Sequence, residues 1–203
     1  MNHKLSLIIA VLILISFSAI AQTTISKEDR KKVLKELKES QKELEKAVKG
    51  LSEEQLNYKA SEDSWSVANC VEHLAIAETS FQGLLYASLK EDADPSKRKE
   101  VNFGDDELLT MIQDRSNKVK TPEPFEPSGK FGGYPGALET FNAKRNENID
   151  FIKNTQEDLR NHYYDFPFGK VDSYQILIFV SAHNRRHLGQ IMEVKANDSY
   201  PAE

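Results

Sequence analysis

Over most of this chain the apolar positions recur at alternating intervals of four and three. That spacing lines one face of an α-helix, and little of the chain alternates at the two-residue spacing of a half-buried strand. The first helical stretch covers about residues 27–50, with Val33, Leu37, Ser40, Leu44, Ala47 and Leu51 as its seam. Ser26 stands at the capping position, Glu28 and Asp29 occupy the first turn, and Gly50 ends the stretch. A polar connection, SEEQLNYKASED, leads to Ser64-Trp65-Ser66, where a serine caps a second helix over about residues 67–90. Val67, Cys70, Val71, Leu74, Ala77, Phe81, Leu84 and Leu85 form its buried side. A third helix, about 136–160, turns Leu138, Phe141, Ile149 and Ile152 inward. The turn region NHYYDFPFGKVD then leads to a fourth, about 172–196, capped by Asp172, with the stripe Ile176, Val180, His183, His187, Gln190 and Val194.

Between residues 91 and 135 the pattern breaks. EDADPSKRKE is charged and solvated, and residues 105–119 predict a shorter helix with Leu108, Leu109 and Ile112 as its apolar patch. TPEPFEPSGKFGGYPG then carries prolines and glycines too densely for continuous helix. So long a loop serves either as a lid or pocket wall, lined by Phe125, Phe131 and Tyr134, or as a connection packed outside the core; the sequence leaves both open. Four long helices with one long connection between the second and third predict an all-α, four-helix bundle. The order and hand of the helices do not follow from periodicity.

A short basic start, a nearly unbroken apolar run from Leu5 to Ile20 and the small-x-small pattern Ala19-Ile20-Ala21 predict a removed secretory signal over residues 1–21, with a retained anchor as the alternative. One domain is then expected over residues 22–203, secreted or periplasmic, with no stable membrane insertion once the leader is removed. The net charge is −5 and becomes more acidic without the leader, which excludes a nucleic-acid binder's balance. A single cysteine, Cys70, excludes an internal disulfide, so stability rests on packing. A homodimer through an outer helix face is compatible with the pattern, although no stripe compels it.

Candidate chemistry lies in the fourth helix. Four residues bring a side chain back to within about 40° of its starting direction and about 6 Å along the axis, so His183 and His187 point to one place from an apolar seam. From spacing alone the pair is a metal site, two core histidines satisfied by neighbours, or a solvated edge. His73, mid-helix on the border of an apolar face, is the natural third donor. Three neutral imidazoles would suit a divalent first-row ion such as zinc, nickel or iron and leave a coordination position for water or substrate. His162 reads as a surface residue. Gln190 either orients a ligand or ends the seam; Glu72 is a surface carboxylate or a support for the site; Asn69 is better aimed. Cys70 reads as a small hydrophobe, Arg185 and Arg186 as partners for acids on a neighbouring helix, and Trp65 as packing over the start of the second helix.

Ser64-Trp65-Ser66-Val67 with Val71-Glu72-His73-Leu74, together with the downstream run His183-Asn184-Arg185-Arg186-His187-Leu188-Gly189-Gln190-Ile191, resembles the paired signature of the DinB-like superfamily. The resemblance covers about residues 26–196. It implies a four-helix bundle in which His73, His183 and His187 hold a metal. The superfamily includes YfiT-like metal-dependent hydrolases and thiol-dependent transferases and isomerases. What it implies here is a metal-dependent enzyme acting on a small molecule, with hydrolysis by a metal-activated water preferred because an exported protein meets few low-molecular-weight thiols. A thiol S-transferase and a non-catalytic bundle binding a metal or small ligand are the alternatives, since shared fold does not select a reaction.

Overall fold

The computed structural model describes residues 24–117 and 119–202. The signal predicted over residues 1–21 lies outside these, and among the described residues no helix is long and apolar enough to cross a membrane. Helix α1 spans Lys27–Val48; Ser26 Oγ accepts from the amide of Asp29 at 3.0 Å, and Gly50, at φ +75°, turns the chain away beyond it. A five-residue helix, α2 (Glu53–Asn57), interrupts the connection to α3 (Val67–Ser88). Ser66 and Asn69 close a reciprocal capping box on α3, which accounts for Asn69: it is spent on the helix start and does not face the histidines. Helix α4 covers Asp105–Gln113, shorter than the periodicity predicts, and α5 covers Tyr134–Asn154, with Pro135 in its first turn. Asp172 caps α6 (Ser173–Lys195).

The expected turn region before α6 contains a β-hairpin, β1 (Tyr163–Phe166) paired antiparallel with β2 (Gly169–Asp172). Its aromatic residues favour extended backbone, but four residues per strand are too few for alternation to register. The chain remains all-helical in its architecture.

Helix α1 packs between α5 and α6, and α3 packs between the same two helices on the opposite side, so α1 faces α3 and α5 faces α6 across the bundle's diagonals. Helix α4 lies outside, against α6. The interior falls into two apolar clusters, one around Leu37, Phe81, Ile152 and Val180, the other around Leu44, Leu74, Phe141 and Ile191. Arg145 of α5, fully buried, forms a two-pronged ion pair with Glu78 of α3 at 2.7 and 2.9 Å and donates to Ser40 Oγ (2.6 Å) and Leu37 O (2.9 Å) of α1 and to Val180 O (3.3 Å) of α6. Asn148 donates to the same Glu78 at 3.0 Å. One side chain thus bonds all three other helices of the bundle. A charge in this interior is tolerated because its donors are satisfied.

Candidate metal centre

Helix α3 carries His73 and α6 carries His183 and His187, and the packing of α3 on α6 brings the three rings together. His183 Nε2 lies 3.2 Å from His73 Nε2 and 3.2 Å from His187 Nε2, and all three nitrogens lie within 4.8 Å of one another. His73 and His187 are buried and His183 half-buried. Among the described residues this is the one group of three or more His, Cys, Asp or Glu side chains close enough to hold a common ion.

The hydrogen bonds behind the rings set which nitrogen carries the proton. His73 Nδ1 sits 2.8 Å from the carbonyl oxygen of Phe125, and His187 Nδ1 sits 3.0 Å from Gln190 Oε1. Both Nδ1 atoms therefore donate, leaving the Nε2 lone pairs of His73 and His187 aimed at the centre. Burial holds all three imidazoles below the usual histidine range, most strongly His183 and His187; neighbouring rings add to the effect on these two, and the Phe125 carbonyl partly opposes it at His73. Neutral rings are the form that binds metals. A tetrahedral ion with bonds of about 2.0–2.1 Å places neighbouring donor nitrogens about 3.3 Å apart, so the two 3.2 Å separations fit such an ion. Without an ion, three such nitrogens have at most one proton to share between them.

The walls differ in character. Phe179 stacks on His183 with ring centres 5.7 Å apart, and Phe81 meets it edge-on at 5.8 Å. Trp65 packs over the site itself, 4.9 Å from the ring of His73 and stacked 5.9 Å from that of His187. Beyond Trp65 and His187 lies a cavity of about 440 Å³, whose lining includes Gln190, Arg115, Arg186 and Lys120. The long Pro- and Gly-rich loop is a wall of the site: Phe125 supplies the carbonyl for His73, and Glu72 Oε1 accepts from the amides of Ser128 (3.0 Å), Gly129 (2.7 Å) and Lys130 (3.2 Å). Two adjacent residues of α3 thus hold the loop at two points.

Cys70 is a buried hydrophobe whose thiol burial pushes up to about 12, so no thiolate is available at neutral pH. Arg185 pairs with Glu36 and Glu43 of α1, whereas Arg186 bonds main-chain carbonyls at the end of α4 and just after it and, among the described residues, forms no ion pair. His162 is buried, contrary to its surface reading, in a segment tied to the start of α6, where Ser173 N donates to its carbonyl; it is not part of the triad. Arg115 was not anticipated. It crosses α6 at Gly189, where an added Cβ would lie 2.9 Å from its Cδ, and it pairs with Glu193 at 2.6 and 2.8 Å. A lone glycine inside a helical pattern was the available signal of that close approach.

The profile of the DinB superfamily matches residues 36–191, and the chain belongs to that superfamily. It is 30% identical over 149 residues to the uncharacterized protein YuaE of Bacillus subtilis (strain 168), covering 73% of this chain and 88% of the relative. Its fold is similar to that of YfiT from Bacillus subtilis, described as a probable metal-dependent hydrolase with an unusual four-helix bundle topology. The TM-score is 0.55 at 19% identity, over 85% of this chain and 89% of that one.

Proposed function

We propose that this protein is a metal-dependent enzyme that holds one divalent ion, zinc, nickel or iron, on His73, His183 and His187 and hydrolyses a small-molecule substrate. The convergence of three Nε2 atoms, His183's 3.2 Å from each of the other two and all within 4.8 Å, carries the reading. When bound, the ion would supply Lewis acidity and bring the pKa of a water or thiol it binds towards neutrality. The chain's own residues do the remaining work. Phe125 O and Gln190 Oε1 fix two rings in the donor tautomer, and Trp65, Phe81 and Phe179 shield the rings from bulk water. Substrate would enter from the cavity beside His187. The description of YfiT as a probable metal-dependent hydrolase supports extending the same reaction class to this chain. The preference for hydrolysis over thiol transfer rests on residues 1–21 acting as an export signal, since small thiols are chiefly cytoplasmic.

The test is metal analysis of protein purified with each ion supplied in turn, followed by a screen of ester, amide and thiol-conjugation substrates. The expected result is about one ion per chain, its loss in His183→Ala, and turnover of an ester or amide. A wild-type protein that takes up no ion under any supply sinks the reading. Turnover confined to thiol conjugation makes it a transferase, and inactivity with a tightly held ligand recovered by mass spectrometry makes it a binding protein.

A further inference from the structure

The cavity beside His187 has two arginines with different electrostatic situations. The guanidinium of Arg115 is neutralised by the two-pronged pair with Glu193. Arg186 is held as firmly but by uncharged partners, donating to the main-chain oxygens of Ile112 (3.5 Å), Asp114 and Asn117 (2.9 Å), and among the described residues it forms no ion pair. Its position is fixed, and the carboxylates nearest its charge, Asp114 and Glu193, act on it only from beyond ion-pair distance. Those bonds engage Nη1 twice and Nη2 once, which leaves Nε and one N–H of Nη2 to serve a ligand. Lys120, exposed on the segment leading into the Pro- and Gly-rich loop, lines the same cavity, as does Trp65, whose indole forms an apolar wall between it and the histidines.

We propose that this cavity binds a singly charged organic acid, with its carboxylate between Arg186 and Lys120 and its apolar body against Trp65. The proposal names the substrate class for the metal centre and rests on that reading only for the bond that reacts. Two features favour a monoanion over a phosphate. The free donors suffice for one planar two-oxygen group. Asp63 and Glu126, exposed acids that also line the cavity, would repel a second negative charge.

The experiment titrates phenylacetate, its neutral isostere phenylacetamide, and phenyl phosphate into zinc-loaded and chelator-stripped protein by calorimetry. Wild type is compared with Arg186→Gln, Arg186→Lys and Lys120→Gln. Phenylacetate is expected to bind about tenfold tighter than the amide in both forms, and no more weakly than phenyl phosphate. Arg186→Gln and Lys120→Gln should each shrink the acid-to-amide ratio to about threefold or less, and Arg186→Lys should keep most of it. If Arg186→Gln fails to fold, the exposed Lys120→Gln carries the test alone. Equal binding of acid and amide, no binding of either, tighter binding of the phosphate, or a ratio unchanged in both glutamine variants overturns the proposal. A ratio seen only with zinc present places the carboxylate on the ion and overturns it too. Because stripped protein is measured, an inability to take up zinc counts against the metal centre and leaves the acid-to-amide comparison readable.

Discussion

The carbonyl oxygen of Phe125 lies 2.8 Å from Nδ1 of His73, so a residue of an irregular loop decides which nitrogen of a buried helical histidine faces its two partners. Loop and triad are therefore one unit.

Glu72→Ala removes the acceptor for three consecutive loop amides. The loop should loosen, with faster tryptic cleavage after Lys130 and a stability loss of about 1–3 kcal/mol. Glu72→Gln, which keeps an acceptor oxygen, should lie between the variant and wild type. Equal cleavage rates in all three proteins would show that the carboxylate does not hold the loop.

Gln190→Leu leaves His187 without the acceptor for its Nδ1 proton. Metal affinity, read by competition with a chelating dye, is expected to fall about 10–100-fold. The metal-free melting temperature should barely move, because Gln190 is half-buried at the edge of the cavity.

Arg145→Ala strands the buried carboxylate of Glu78 and should cost about 3–5 kcal/mol in urea unfolding. The double change Arg145→Met with Glu78→Leu should recover most of that loss, since it removes both charges at once. A double variant as unstable as the single one would show that the network, rather than the stranded charge, matters.

Acid should destabilise the metal-free protein through the triad. All three folded-state pKa values are depressed, so below about pH 6.5 the unfolded chain binds more protons than the folded one. The stabilisation is complete above that pH, begins to be lost as pH falls below it, and goes on being lost until the folded-state values are passed. The slope is about 1.4 kcal/mol per pH unit for each ring protonated only in the unfolded state. Urea midpoints at pH 7.5 and 5.5, compared between wild type and His187→Leu, check this; parallel pH curves would exclude the triad as the source.

Much of this was legible in the chain because local signals and tertiary need agree. Ser26, Ser66 and Asp172 each cap the helix that periodicity predicts after it, and the starts of α1, α3 and α6 follow. The meeting of residues 73, 183 and 187 was legible for a related reason: polar rings in an apolar stripe need one another. What escaped the sequence depends on distant pairing. Thr155 ends α5 five residues before Arg160, and Arg160 instead reaches Asp29, Asp105 and Asp172 on three other parts of the chain. Asn69 has the spacing of a site residue and of a capping-box residue, and only the structure separates the two. Arg115 meets the cavity from the irregular stretch after α4, and Arg186 from the polar side of α6, and neither position's periodicity carries a sign of it.

The two helices that supply the imidazoles lie far apart in the chain: His73 and His183 are separated by 110 positions, with α4, α5 and the hairpin between them. A cation gripped by both would tether the ends of that whole excursion in the folded state, so that its binding free energy becomes folding free energy. In a polypeptide with a single cysteine, the histidine cluster is thus the natural place for a cross-link that demetallation can undo.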